Sequence, residues 1–147
     1  MFDNKVAAHF IERIEKLTPQ STPQWGKMNA TQMLAHCNVT YEMTYENIHP
    51  KPGAIVRFIL KLLVKPNVVG PNPYKKNNST APQFIITDNR DFETEKNRLL
   101  HYIKHTQALG AEHFENRDSH SFGKLTSDQW NTMFAKHLTH HLTQFDI

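Results

Sequence analysis

The chain has 147 residues, a formal net charge of +3 and one cysteine, Cys37. This length suits a single domain with one core. The lone cysteine excludes an internal disulfide. The basic residues are spread along the chain, which argues against a continuous basic stripe that binds nucleic acid. The longest apolar stretch, residues 54–64, is too short to span a bilayer and is interrupted by two basic residues. We therefore expect one domain over residues 1–147, without membrane or nucleic-acid partners, in a reducing, cytoplasmic compartment.

Two helices are predicted in the N-terminal third. The first runs from about Asp3 to Leu17, with Asp3 as N-cap and an apolar face of Val6, Phe10, Ile14 and Leu17. The second begins after Asn29, which forms a capping box with Gln32, and stops at His49-Pro50. Its apolar face is predicted to comprise Met33, Cys37, Tyr41, Thr44 and Ile48.

The middle of the chain predicts one short helix and a long crossover. Pro52 opens the short helix, which we expect to cover the open end of a bundle rather than lie on a membrane. Its apolar side is predicted to be Ile55, Phe58, Ile59, Leu62 and Leu63. Residues 64–82 hold four prolines and one glycine, which favours an irregular crossover. Residues 83–87 are β-prone but have no evident partner strand.

Two long helices complete the chain. One is predicted from about Asn89 to Leu109, with Gly110 as its C-terminal stop. The last begins after Thr126, which forms a capping box with Gln129, and runs to about residue 145. Four substantial helices and one short helix predict an all-α four-helix bundle with a crossover connection.

The ten histidines are an unusual excess, and their positions differ in significance. On a helical wheel of the last helix, His137 and His141 fall in the middle of the apolar stripe, and His140 falls at its border. Two imidazoles one turn apart on a buried face need polar partners, and a shared cation would satisfy both nitrogens. His101 and His105 have the same spacing but lie opposite their helix's apolar face, so we expect them in solvent.

A metal site needs at least one more ligand from another helix. His36, in the middle of the second helix and beside its apolar stripe, is the best candidate, and His120 is a candidate supporting or fourth group. Hydrogen-bonded core histidines remain the alternative at this stage. We expect Cys37 to be a packed small hydrophobe, and Glu42 and Glu46 to be solvated.

Two passages resemble a known superfamily. WGKMNATQMLAHC (25–37) and FGKLTSDQWNTMFAKHLTHHLTQF (122–145) are similar to the DinB-like, or YfiT-like, superfamily of proposed metalloenzymes, and to an uncharacterised bacterial branch of it. The resemblance implies a four-helix bundle in up-down-down-up order with a site for zinc, nickel or another divalent ion such as iron or manganese. It places the ligands on His36, His137 and His141. The turn before FG departs from the branch's pattern, which leaves His120 without an assigned role.

The resemblance also suggests an activity, since some relatives are thiol-dependent transferases. The first hypothesis is therefore a metal-dependent enzyme that activates a low-molecular-weight thiol against a small electrophile. The alternatives are a metal-dependent hydrolase and a non-catalytic binding or stress-response module that the metal stabilises. A homodimer is plausible for this superfamily. No residue is assigned a catalytic role, because no carboxylate is clearly placed as a general base.

Overall fold

The computed structural model describes all residues from 1 to 147, and it is mostly helical with one small antiparallel strand pair. The helices are α1 (Asn4–Glu15), α2 (Ala30–Tyr45), α3 (Ala54–Ile59), α4 (Lys65–Val69), α5 (Phe92–Phe114) and α6 (Ser127–Gln144). A π-helical turn (Leu60–Val64) joins α3 to α4, and a 3₁₀ turn (Pro82–Phe84) precedes α5. The strands are β1 (Arg117–Ser119) and β2 (Gly123–Leu125). No helix is long and apolar enough to cross a membrane.

The predicted N-caps of three long helices are confirmed. The Asp3 carboxylate accepts hydrogen bonds from two backbone amides of α1. Asn29 and Gln32 form a reciprocal capping box at α2, and Thr126 and Gln129 form another at α6. These starts are fixed by side chains within three residues of each other, so the local sequence is enough to predict them.

One predicted helix end is wrong, and one is partly right. Helix α2 ends at Tyr45, four residues before the predicted stop at His49. The helical conformation of α5 is interrupted at Gly110, as predicted, where the backbone is non-helical at φ 72°, but the chain resumes a helix beyond it and α5 extends to Phe114. Glycine tolerates this left-handed conformation, which lets the chain kink and resume the helix.

The core lies between the four long helices and is rich in stacked aromatic rings. The ring of Tyr41 stacks between Tyr102 and Phe134, with centroid distances of 5.5 and 5.0 Å. Phe114 packs against Trp130 at 5.4 Å. On α1 the prediction is only partly right: Val6 is exposed, and the buried residue at that level is Ala7. Buried aliphatic residues from all four helices complete the core: Ile14, Met33, Leu34, Leu99, Ile103, Leu138 and Leu142.

The buried interface between α2 and α5 contains a charged network. The guanidinium of Arg98 donates to Glu42 at 2.6 Å and to Glu95 at 3.0 Å, and His49 lies 2.7 Å from the second Glu42 oxygen. Asn38 donates to Glu95 at 2.7 Å. The predicted solvation of Glu42 is therefore wrong, because Arg98 and His49 compensate its burial.

The β1–β2 hairpin was not predicted, since each strand has only three residues. It pairs Arg117 with Leu125 and lies beside the end of α2, where Arg117 donates to the carbonyl oxygen of Thr44 at 2.9 Å. Arg57 of α3 forms an ion pair with Asp118 of β1 at 2.5 Å. The hairpin therefore ties α3 to the end of α2.

The predicted apolar side of the short helix is wrong in orientation. Ile55, Phe58, Ile59, Leu62 and Leu63 are exposed to solvent, whereas Val56, Leu60 and Val64 line an open pocket, in which Val56 and Val64 remain 52% and 37% exposed. Both sides of this segment are apolar, so the sequence pattern alone does not indicate which side faces inward.

Residues 70–81 of the crossover are irregular, as predicted, but residues 65–69 of the same predicted range form α4. A lysine of α6 binds this segment. The ammonium group of Lys136 on α6 donates to the carbonyl oxygens of Asn67, Gly70 and Asn72 at 2.5, 2.6 and 3.1 Å. The β-prone residues 83–87, for which the sequence offered no partner strand, form no strand, because Pro82 begins a 3₁₀ turn that ends at Phe84. The crossover is thereby fixed against the face of α6 that carries His137 and His140.

Candidate metal site

Three histidine rings from two helices converge on one point. His36 comes from α2, and His137 and His141 come from successive turns of α6. The Nε2 atoms of His36 and His137 are 3.1 Å apart, and each of the three rings offers a nitrogen atom within 4.8 Å of the others. The structure thus brings together the three residues that the sequence singled out.

Each ring is oriented by a hydrogen bond at its other nitrogen. His36 donates from Nδ1 to the carbonyl oxygen of Phe84 at 2.9 Å, and His141 donates from Nδ1 to Oε1 of Gln144 at 2.9 Å. Nδ1 of His137 is 3.1 Å from the hydroxyl of Thr40, which can accept or donate. A donating Nδ1 leaves Nε2 with a free lone pair, so the rings of His36 and His141 point acceptor nitrogens toward the common centre.

The site favours neutral imidazoles. His36 and His141 are buried, and His137 is partly exposed at the pocket floor. Burial lowers the pKa of all three rings, and the neighbouring histidines lower it further by repulsion. The pKa of His141 falls to about 3, although its bond to Gln144 opposes the shift. Neutral imidazole is the form that ligates a metal ion.

One pair of donor nitrogens already has the spacing that a small divalent ion requires, while the three donor nitrogens together span up to 4.8 Å and would draw closer around an ion. Zinc–nitrogen bonds of about 2.0–2.1 Å in tetrahedral geometry place ligand nitrogens about 3.3 Å apart. The 3.1 Å separation between His36 and His137 is close to that value. Two facing lone pairs at this distance repel unless a cation or a proton lies between them. The three histidines are therefore suited to holding a metal ion, and three protein ligands leave a coordination position open.

The cluster lies at the floor of a pocket of about 970 Å³. The crossover and the α3–α4 segment form one side of this pocket, and α2 and α6 form the other. Tyr74 packs edge-on against both His137 and His140, with ring centroids 6.5 and 5.7 Å apart. An ion at the cluster would thus be reachable by a small molecule from the pocket.

His120 lies apart from the cluster, whereas His140 adjoins it, with its ring centroid 4.9 Å from that of His141. His140 and His120 both line the pocket, and His120 is hydrogen-bonded to Ser121 at 2.9 Å. His101 and His105 are solvent-exposed, as predicted. Cys37 is fully buried in the core, where burial raises the pKa of its thiol, so the expectation of a packed hydrophobe is confirmed.

Sequence reasoning missed the residues that orient the rings. Gln144 follows His141 by three positions on one helix, so helical spacing offers a signal for that pair. Thr40 follows His36 by four positions and lies on the same side of α2, but its bond is to His137 on another helix. The Phe84 carbonyl has no signal in the sequence, because any residue in the turn would present the same backbone oxygen.

A comparison with protein-family models assigns the chain. A model described as "Protein of unknown function (DUF1569)" matches residues 2–146. The chain belongs to this family. No curated protein and no solved structure matches it. The family description names no activity, so any function must be inferred from the site.

Proposed function

We propose that this family member is a divalent-metal-dependent enzyme whose ligands are His36, His137 and His141. The observation that carries the proposal is the convergence of three neutral, hydrogen-bonded imidazoles at the floor of an open pocket. An ion with three neutral ligands and one open position acts as a Lewis acid and lowers the pKa of a thiol or water molecule.

The protein's own groups prepare the site for that ion. The acceptors at Phe84 and Gln144 hold the tautomer that exposes Nε2, and the Thr40 hydroxyl can accept from Nδ1 of His137 in the same arrangement. Such partners fix ring orientation and raise ligand basicity. Zinc and nickel suit an all-imidazole site best, and iron and manganese are further candidates.

The packing of the four long helices supports a DinB-like assignment. Helices α1, α2, α5 and α6 surround one core, and α2 and α6 contribute the histidines that the resemblance assigns as ligands. We propose the up-down-down-up bundle of that superfamily, with α3 and α4 as additions within the crossover.

Within this class we propose thiol transfer to a small electrophile as the reaction, with hydrolysis as the alternative at the same site. The reaction type rests on the sequence resemblance, while the pocket supports access for a small substrate. The pocket also weighs against a metal that serves stability alone, since a purely structural site is normally closed by four protein ligands.

The first test is metal content. Protein purified without an affinity tag should contain about one equivalent of divalent metal, and His36→Ala and His141→Ala should contain almost none. The matched control is His101→Ala, which removes an exposed histidine from a pair with the same i, i+4 spacing and should retain full metal content. Equal metal content in His141→Ala and His101→Ala would refute the ligand assignment.

The second test is activity of the metal-loaded protein. Consumption of an aryl halide in the presence of a small thiol such as cysteine should be faster than the uncatalysed reaction and should be lost in His137→Ala. Turnover of an ester in the absence of thiol would instead support the hydrolase. If the protein binds metal but neither reaction exceeds the uncatalysed rate, the proposed enzymatic role fails and the non-catalytic module is favoured.

A further inference from the structure

Most of the surface that lines the pocket is apolar, although polar residues of the crossover and of the turn between β1 and β2 also line it. Val56, Leu60, Val64 and Val68 follow one another at four-residue intervals and line the side formed by α3, the π-helical turn and α4. The opposite and end walls carry further apolar side chains, which are Met28, Met43, Phe84, Ile86, Phe122 and Met133. A pocket of about 970 Å³ with this lining binds ligands mainly by removing apolar surface from water.

The charges around the pocket have one sign. None of the 37 lining residues is Asp or Glu, whereas Lys27 and Lys75 both line it. Two more ammonium groups lie on aromatic rings of the wall. Lys76 lies 4.1 Å from the ring centre of Trp25, and Lys136 lies 4.8 Å from that of Tyr74. A cationic ligand would lose its hydration in this pocket without meeting a carboxylate, while an anionic one is attracted by the surrounding field.

The candidate metal ligands of the pocket lie together at the histidine cluster. A metal ion among these three neutral imidazoles adds positive charge at that end of the pocket. The crossover also contributes neutral polar residues to the lining, among them Asn77, Asn78 and Thr80. A ligand with an anionic end for the histidine cluster and an apolar body for the side formed by α3 and α4 matches this arrangement.

Building on the proposed function, we propose that the pocket binds an apolar organic anion. Its negatively charged head lies at the histidine floor, and its apolar body lies along the wall formed by Val56, Leu60 and Val64. The substrate class of the site is accordingly amphiphilic and anionic, and cationic molecules of the same length are excluded.

The test measures binding of the straight-chain carboxylates from butanoate to decanoate by isothermal titration calorimetry, with metal-loaded and chelator-treated protein. Full burial of each added methylene lowers Kd by about four-fold, so Kd should fall steadily along the series. Heptylammonium, with the same seven-carbon apolar chain as octanoate and opposite charge, should bind at least ten-fold more weakly than octanoate. Equal affinity for the two ions, or no dependence on chain length, would overturn the proposal.

Two wall variants separate the pocket from the exposed side of the same segment. Val64→Asp places a carboxylate in the wall and should weaken octanoate binding at least ten-fold. Leu63→Asp is the matched control, because its side chain is 69% exposed on the outer side, and it should change Kd by less than two-fold. Equal weakening in both variants would indicate adsorption on the outer apolar side and would overturn the proposal.

Failure of the proposed ligand class can be distinguished from failure of the proposed metal site. Dependence on chain length should persist in chelator-treated protein, because the apolar walls do not require the ion. If chain length matters but no metal binds, the proposed enzyme fails and the pocket assignment stands. If metal binds at the histidines but chain length has no effect, only the ligand class is overturned.

Discussion

Replacing Gln144 with leucine tests how the site is prepared without removing a ligand. Oε1 of Gln144 accepts the Nδ1 proton of His141 at 2.9 Å, and its amide nitrogen donates to the carbonyl oxygen of Trp25 at 2.6 Å. The substitution leaves Nδ1 of His141 without an acceptor in a buried setting. The ring is then free to take the tautomer that places its proton on Nε2, which cannot bind a metal ion.

The expected loss follows from the role of such partners. Removing a hydrogen-bond acceptor of a ligating histidine typically costs 10–100-fold in metal affinity, which corresponds to about 1.4–2.7 kcal/mol. The unpaired Trp25 carbonyl should add a separate loss of about 1–3 kcal/mol in the free energy of unfolding. Because the loss at the Trp25 carbonyl affects folding and the loss at His141 affects metal binding, the two losses can be measured independently.

The assay is competition between the protein and a chromophoric chelator for zinc at pH 7, with urea unfolding of the metal-free forms as a companion measurement. Thr139→Leu is the matched control, since this threonine is exposed on the same helix. It should leave metal affinity unchanged. Affinity for Gln144→Leu equal to that of the parent would refute the orienting role. Complete loss, as expected for His141→Ala, would show that Gln144 acts as more than an orienting partner.

Four further outcomes are expected. Metal at about 100 times its Kd should stabilise the folded state by about 2.7 kcal/mol and raise Tm by about 5–10 °C in a thermal scan, and an unchanged Tm would contradict binding to the folded state. The metal-free protein should lose stability in urea titrations as the pH falls from about 6.5 toward 3. Burial lowers the pKa of His141 to about 3, so the unfolded chain binds a proton there that the folded chain does not; rising stability on acidification would contradict this. In urea unfolding, Tyr41→Phe should leave the free energy of unfolding unchanged or raise it, because the buried Tyr41 hydroxyl has no hydrogen-bond partner. Tyr45→Phe should lower the free energy of unfolding by about 0.5–1.5 kcal/mol, because the Tyr45 hydroxyl is hydrogen-bonded to Thr106 at 2.6 Å. Equal changes in the two variants would refute the distinction. Lys136→Met should make residues 70–80 more susceptible to limited proteolysis, because it removes three hydrogen bonds to the crossover; an unchanged digestion pattern would show that other contacts hold it.

The parts of the fold that the sequence predicts are those set by neighbouring residues. The capping boxes at Asn29 and Thr126 are complete within four residues, and both were predicted correctly. The end of α2 depends instead on a distant group, because the Thr44 carbonyl is satisfied by Arg117 of the hairpin. Its position at Tyr45 therefore has no local signal.

The residues of the candidate site also differ in whether local sequence or tertiary packing determines their positions. The positions of His137 and His141 on the apolar stripe follow from helical periodicity, and the structure places both at the cluster. Periodicity selects His36 as a candidate ligand on α2, but it does not predict its contact with His137 and His141, because the packing of α2 against α6 is a tertiary contact. The pocket wall could not be predicted at all. The segment with Val64 on one side and Leu63 on the other is apolar on both, and only packing decides which side faces inward.

The Phe84 carbonyl has a consequence for protein design. A graft of α2 and α6 onto another helical scaffold would carry all three imidazoles, together with Thr40 and Gln144. It would not carry the 3₁₀ turn at Pro82–Phe84, which supplies the acceptor for His36 from 48 positions farther along the chain. The transplanted ring would then be free to rotate about its side-chain bonds and to carry its proton on either nitrogen. A portable version of this centre therefore needs the turn, or a substitute carbonyl or carboxylate, as a third component.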